Sequence, residues 1–297
     1  MNLFSISQLA QFSGVKPHTI RIWEQRYNAL KPNRSEGNTR YYDNSQLRRL
    51  LNIVTLIESG HKVSELGSLS DEELSELLGK AKNLDTHSEP TEYFISQLIA
   101  AGTSYDEASF EKSFSHCLLR FGMKDAYIKV LYPMLGRIGM LWASDKLAPA
   151  HEHFISNLVR QKLFTAIDYL PAPNSESDSW LLFLPENEYH EIGLLFAYYM
   201  IRLSGRKATY LGSNVPLKSL MSAVNDTKPD NLLFFLVHND FPDQIQTLLD
   251  KLRSGLIKEK IFLTGNPKLI SKLQTNQEVR WLKTVEDLKQ LLPFVYA

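Results

Sequence analysis

Three groups of residues in this 297-residue sequence have the types and spacing to do chemistry. The sharpest is Glu188-x-His190-x-x-Gly193, within the stretch LLFLPENEYHEIG at residues 181–193. A histidine ligates a metal through one ring nitrogen while a carboxylate holds the other. A glycine, lacking a Cβ, lets a bulky group come close to the backbone. The second group is a basic set near the N-terminus: Lys16, His18, Thr19, Arg21, Arg34, Arg40 and Tyr41. Such side chains contact phosphates and base edges. The third is Trp142, followed by His151-Glu152-His153. Residues i and i+2 of a helix point apart, so the two histidines do not close on one zinc ion.

Each group needs elements to position it. Residues 4–12 read as a short helix with Ile6, Leu9 and Ala10 inward, and Ser13-Gly14-Val15 as a turn. A second helix spans residues 17–27, opened by Pro17, which suits the first helical turn. Two short helices about a glycine-bearing turn form a helix-turn-helix pattern. The stretch NRSEGNTRYY then reads as a basic hairpin, or wing, turning at Gly37-Asn38. Over residues 1–50 the bases Lys16, Arg21, Arg26, Lys31, Arg34, Arg40, Arg48 and Arg49 face only Glu24, Glu36 and Asp43. A locally basic module in a chain of zero formal charge is the electrostatic footprint of phosphate contact. A helix with Leu47, Leu50, Leu51, Val54 and Ile57 inward follows. Short helices come next over residues 63–78, with Ser70-x-x-Glu73 as a capping box.

The local sequence VKPHTIRIWEQRY, with Trp23-Glu24, Arg26-Tyr27, Pro32, Arg34 and Arg40-Tyr41-Tyr42, closely resembles the start of MerR-family transcription regulators over residues 4–75. The resemblance implies a winged-helix dimer on a palindromic double-stranded DNA operator, with the second helix in the major groove and the wing on the backbone. His18 and Arg21 are the expected base-edge or backbone contacts, and Arg40 and Tyr41 the expected phosphate positioners.

Residues 80–91 are polar, contain Pro90 and read as a linker. The pattern over residues 92–170 gives four helices, near 93–101, 105–121, 124–142 and 148–167, and their short connections favour an antiparallel bundle. The single cysteine, Cys117, rules out an internal disulfide or a multi-cysteine metal site, and its apolar flanks mark it as a buried small hydrophobe. A Pro/Ser-rich linker covers residues 171–179. From residue 180 to 297, strands and helices alternate as five βα units. Near-continuous apolar strands such as LLFFLV belong to a parallel sheet covered on both faces. Ligand is expected at the carboxyl ends of those strands, in the loops ENEYHE, GSNVP, HND and TGNP.

The spacing at Glu188, His190 and Gly193 resembles the D/E-x-H-x-x-G signature of cobalamin-binding domains, in which the histidine replaces the cofactor's own base beneath cobalt. Trp142, nine residues, then Glu152-His153 resembles the helical cap of the light-sensing, cobalamin-dependent repressors of the MerR family. That resemblance implies Trp142 over the upper face of the corrin and Glu152-His153 near the upper axial group. It also implies that adenosylcobalamin is the cofactor, that light breaks its cobalt–carbon bond, and that a homodimer or homotetramer changes its operator affinity in response. The sequence departs from the family at several places. Ala143 follows Trp142 where some members carry a second histidine ligand. The third strand ends Phe235-Leu236-Val237-His238 without the family's serine, and the fourth offers Gly265 alone in place of two glycines. Those positions house the nucleotide tail, and a bulky Phe235 or Leu236 there would block it.

The expected fold is therefore multidomain α and α/β: an N-terminal winged helix-turn-helix over residues 1–79, a helical bundle, and a C-terminal flavodoxin-like (Rossmann-type) parallel sheet. The sequence holds no catalytic constellation, no apolar span of membrane length and no signal-peptide pattern. A cytoplasmic regulator is the expectation, with a sensor that has lost cobalamin and works through protein contacts as its rival.

Overall fold

The computed structural model of the chain describes residues 3–34, 39–84, 91–142, 147–174, 176–237, 242–255, 260–274 and 279–292. The chain divides into two compact units, Met1–Leu158 and Val159–Ala297.

The first unit begins with α1 (Ile6–Ser13) and α2 (Pro17–Tyr27), then β1 (Asn33–Arg34), β2 (Arg40–Tyr41), α3 (Asn44–Glu58), α4 (Val63–Leu66) and α5 (Asp71–Leu84). Local chemistry sets the helix starts. Ser5 and Gln8 close a capping box on α1, Pro17 occupies the first position of α2, and Asp43 accepts from the Gln46 amide at 3.0 Å to cap α3. The expected Ser70-Glu73 box is also present, with the Glu73 carboxylate accepting from the Ser70 amide at 2.7 Å. The wing strands pair antiparallel with Arg34 opposite Arg40; its expected turn at Gly37-Asn38 lies outside the described residues. Phe4 and Tyr42 exchange backbone hydrogen bonds that tie the N-terminus to the base of the wing.

Helix α5 continues to Leu84, into the segment expected as linker; its run of helix-forming residues, LSELLGKAKNL, outlasts the apolar periodicity. The bundle follows as α6 (Thr91–Thr103), α7 (Glu107–Ala126), a π-helical turn (Tyr127–Leu131), α8 (Tyr132–Trp142) and α9 (Pro149–Asp168), whose residues up to Leu158 belong to this unit. Within α7 the backbone leaves helical geometry at Gly122 (φ 69°, ψ 166°) and kinks between two helices, in agreement with the expected break between residues 121 and 124, and the second helix begins just beyond it. It passes through the π turn before α8. Cys117 is buried, and burial pushes its thiol up to about 12, so it packs as an inert hydrophobe.

One interaction joins the basic module to the bundle. Arg137 of α8 grips Glu92 of α6 with both ends of its guanidinium, at 2.5 and 2.7 Å, and also donates to the Phe12 carbonyl at the end of α1 (3.1 Å). Bidentate geometry makes such a pair directional as well as strong. Around it α3 packs on α6 and α1 on α8, and Tyr93 of α6 joins the apolar cluster of Ile53, Leu56, Leu66 and Leu74.

The second unit holds a five-stranded sheet: β3 (Ser179–Pro185), β4 (Lys207–Val215), β5 (Asn231–Leu236), β6 (Lys260–Gly265) and β7 (Val279–Trp281), all parallel, in the order β4-β3-β5-β6-β7. Helices α10 (Ile192–Leu203), α11 (Leu217–Thr227), α12 (Pro242–Gly255), α13 (Pro267–Ile270) and α14 (Val285–Leu291) alternate with the strands. This is the flavodoxin-like order, and its winding reverses between β3 and β5. Leu181 and Phe183 of β3 and Leu232, Phe234 and Leu236 of β5 fill the core shared with α11 and α12. Strand β4 runs four residues past its expected end, so most of GSNVP is strand rather than loop. Among the described residues no helix is long and apolar enough to cross a membrane.

Replacing Arg137 by alanine strands the nearly buried Glu92 carboxylate. The expected loss of stability is about 2–4 kcal/mol, somewhat below the range for fully buried pairs because Arg137 keeps some solvent contact. Arg137→Lys, which keeps the charge but not the fork, should recover only part of it. Urea unfolding of the full chain measures both; an unchanged midpoint for Arg137→Ala would show that the contact carries no energy.

Candidate functional site

The Glu188–His190 corner is built where β3 ends. The Glu188 side chain is fully buried. Its Oε1 accepts from the Tyr189 amide (3.0 Å) and the His190 amide (3.1 Å) and meets His190 Nδ1 at 2.7 Å. Its Oε2 accepts from the Val237 amide at the end of β5 (2.8 Å). A buried carboxylate needs partners of this kind, because an unpaired charge is costly out of water. On the other flank, Asn214 near the end of β4 receives the Asn187 amide on its side chain (2.9 Å) and donates its own amide to the Glu188 carbonyl (3.1 Å). The loop is therefore tied to β4 and β5 together, and His190 is presented with its side chain about two-fifths exposed. With Nδ1 fixed on a carboxylate, the ring is held in a set orientation, and Nε2 is the nitrogen that could hold a metal.

Gly193 lies in the first turn of α10. A Cβ there would stand 2.8 Å from Cε1 and 3.1 Å from Cδ1 of Phe235, so glycine permits this close approach, and the approaching group is the protein's own aromatic ring. Gly265 is required for a different reason. Its φ is +128°, and a Cβ would lie 2.0 Å from the Leu236 carbonyl oxygen, so the turn out of β6 against β5 excludes any side chain. The Asn266 amide donates to that same carbonyl at 2.7 Å. Gly265 thus has a backbone role that holds without any ligand. His238 and the rest of the HND loop lie outside the described residues.

Trp142, Glu152 and His153 belong to the first unit. Trp142, the last residue of α8, is 40% exposed, which sets it apart from the core aromatics of the bundle. Glu152 Oε2 meets His153 Nδ1 at 2.9 Å on the exposed side of α9. His151 turns the other way. It is buried, stacked on Tyr105 with centroids 4.6 Å apart, and burial lowers its pKa, which favours the neutral ring. The i, i+2 divergence of the two histidines is as expected.

In the basic module, Lys16, His18 and Arg21 are exposed on and before α2, with Thr19 half-buried beside them, and Arg34 is exposed on β1. Arg40 and Tyr41 are half-buried. Arg40 Nε donates to Glu24 at 3.0 Å, and the Tyr42 hydroxyl donates to the other Glu24 oxygen at 2.8 Å. Burial first, then this bond, pushes the Tyr42 phenol well up, so it stays a donor. Arg40 therefore holds the wing to α2 through at least one of its nitrogens. Arg49 is structural: it donates to the carbonyls of Ala29, Gly67 and Leu69 and pairs with Asp71. Sequence reading named Phe235 at the strand end but not its contact with Gly193, and missed the bonds of Asn214 and the Val237 amide. Only the position of Phe235 and Leu236 at the strand end signalled part of this.

The MerR HTH family of regulatory proteins matches residues 4–73, and the B12 binding domain family matches residues 93–166. The chain is 29% identical over 257 residues to the HTH-type transcriptional repressor CarH of Myxococcus xanthus, covering 85% of each. It is 30% identical over 254 residues to the HTH-type transcriptional repressor CarA of the same organism, covering 84% of this chain and 82% of the relative. Among solved structures, the monomethylamine corrinoid protein of Methanosarcina barkeri superposes with a TM-score of 0.53 at 15% identity, over 68% of this chain and 98% of its own, a likeness of fold.

Gly265→Ala is expected to destabilise the ligand-free chain by about 2–4 kcal/mol, through the positive φ and the clash with the Leu236 carbonyl. Thermal or urea unfolding without added cofactor is the check. An unaltered unfolding curve would mean that the turn accommodates a side chain.

Proposed function

Because the chain belongs to the MerR-type transcriptional regulators that carry a B12-binding domain, we propose that it is a repressor whose grip on its operator is set by cobalamin held at His190. The observation that carries this reading is the His190 imidazole locked at 2.7 Å on a buried carboxylate, in a chain that also presents an exposed basic recognition helix. Two regulators similar to the chain over most of its length are repressors by name, and no enzymatic activity is proposed.

The chain's own residues divide the work. Glu188 fixes the ring of His190, so that Nε2 is the ligating atom on the lower face of a corrinoid. Trp142, Glu152 and His153 are assigned to the upper face, where an exposed indole and a carboxylate–imidazole pair would cover the axial group. Adenosylcobalamin, the form proposed here, supplies when bound a cobalt–carbon bond that light cleaves. On the DNA side, His18 and Arg21 of α2 are assigned to the major groove, with Lys16, Thr19 and Arg34 on phosphates. Arg40 positions the wing through Glu24 and Tyr41 contacts the backbone beside it. A homodimer on a palindromic site, or a homotetramer built from it, is the proposed assembly.

The donor set fits an axial corrinoid ligand, while the space beside Gly193 holds the Phe235 ring. That second fact favours an alternative in which the sensor no longer binds cobalamin and regulates through protein contacts.

The deciding experiment mixes the full chain with adenosylcobalamin in the dark and follows the visible spectrum, beside His190→Ala. Stoichiometric retention lost in His190→Ala, with a spectral change on illumination, is the expected result; no retention at all would leave the protein-contact alternative. On DNA selected by the wild-type chain, Arg21→Ala should weaken binding about tenfold or more. Arg34→Ala should lower the salt dependence by about one counterion. Electrophoretic shifts over a range of salt measure both, and unchanged affinity for Arg21→Ala would remove α2 from the groove.

A further inference from the structure

Phe235 sits where the strand order opens a crevice. The winding of the sheet reverses between β3 and β5, and open α/β sheets take their ligands outside the carboxyl ends of the strands at that switch. His190 leaves β3 on one side of it, and Phe235 is the last residue but one of β5 on the other. Phe234 and Leu236 point into the core with α11 and α12, so the pleat turns Phe235 to the opposite face, towards α10. There its ring closes on Gly193, with Cε1 2.8 Å from the position of a Cβ. The gap that the glycine leaves is already taken.

The chemistry of the ligand makes this decisive. Cobalt in a corrinoid has one lower axial position. If His190 fills it, the cofactor's own base is displaced together with the nucleotide arm that carries it. The arm then needs room next to His190, and Gly193 and Phe235 flank that place. An arm of this bulk enters only if the Phe235 ring gives way.

We propose that Phe235 is the specificity-determining residue of this site: packed on Gly193, it discriminates against corrinoids that bear a nucleotide arm and favours those that lack one. This rests on His190 being the axial ligand. The site would then respond most strongly to incomplete corrinoids and bind complete cobalamin at a penalty.

The test titrates the full chain with diaquacobinamide, which has no nucleotide, and with hydroxocobalamin, which has one, by visible spectroscopy. The wild-type chain is expected to bind the cobinamide about tenfold or more tighter, the usual scale for forcing extra volume into a packed site. Phe235→Ala should bring the two within about twofold, chiefly by strengthening hydroxocobalamin. Phe235→Leu, which keeps an apolar group on the strand, should fall between, and far-ultraviolet circular dichroism checks that each variant is folded. Equal binding by the wild-type chain, or a preference that survives in both folded variants, would overturn the role of Phe235 and leave His190 as the ligand. Binding of neither corrinoid by any of the three proteins would overturn the corrinoid reading itself, and this inference with it.

Discussion

A buried carboxylate must be answered by donors, and at Glu188 the answers come from two directions at once. Its own loop supplies the Tyr189 and His190 amides and the imidazole, and the end of β5 supplies the Val237 amide. Separately, the β4 end holds the loop backbone, with Asn214 donating to the Glu188 carbonyl and accepting from the Asn187 amide. The result is a corner whose geometry is set by charge solvation rather than by apolar packing. Loosening the Glu188 side chain would release the histidine and also free the loop after β3 from the end of β5. This explains how a loop residue, normally the mobile part of an α/β domain, is held in one orientation.

The same economy appears in the basic module, where not every base is a DNA contact. Glu24 is one of its few acids, and it takes both Arg40 and Tyr42. Arg49 spends its guanidinium on three carbonyls and Asp71. The exposed bases, Lys16, Arg21, Arg26, Lys31, Arg34 and Arg48, lie on α2 and its flanks, on the first wing strand and on α3. A polar scaffold thus orients a smaller reading surface than the charge count implies.

Much of this was legible from residue order. The bounds of α2, the parallel sheet and its five strands, the Ser70–Glu73 capping box and the Glu-x-His pair follow from periodicity, turn chemistry and spacing, all of which are local. What was not legible depends on residues far apart in sequence. Nothing near Gly265 announces that the Leu236 carbonyl passes where its side chain would be, so a glycine sought as a cofactor contact has a backbone role. Nothing near residue 193 shows that Phe235 closes on it. Nothing near Arg40 shows that its Nε reaches Glu24, sixteen residues upstream. The π turn at Tyr127–Leu131 is likewise invisible, since its residues would suit an ordinary helix.

The clasp of Arg137 on Glu92 and the Phe12 carbonyl bears on how such a protein can change over time. Regulators of this build are easily pictured as cassettes, a reader of DNA joined by a tether to an exchangeable receptor. Here the reader and the helices behind it share an apolar core and an ion pair, so the joint is not a neutral seam. A recombination event that cut near residues 79–91 and attached a foreign receptor would leave α1 and α3 without their covering and Phe12 without its donor. Descent would then favour change within the receptor, residue by residue, over its wholesale replacement.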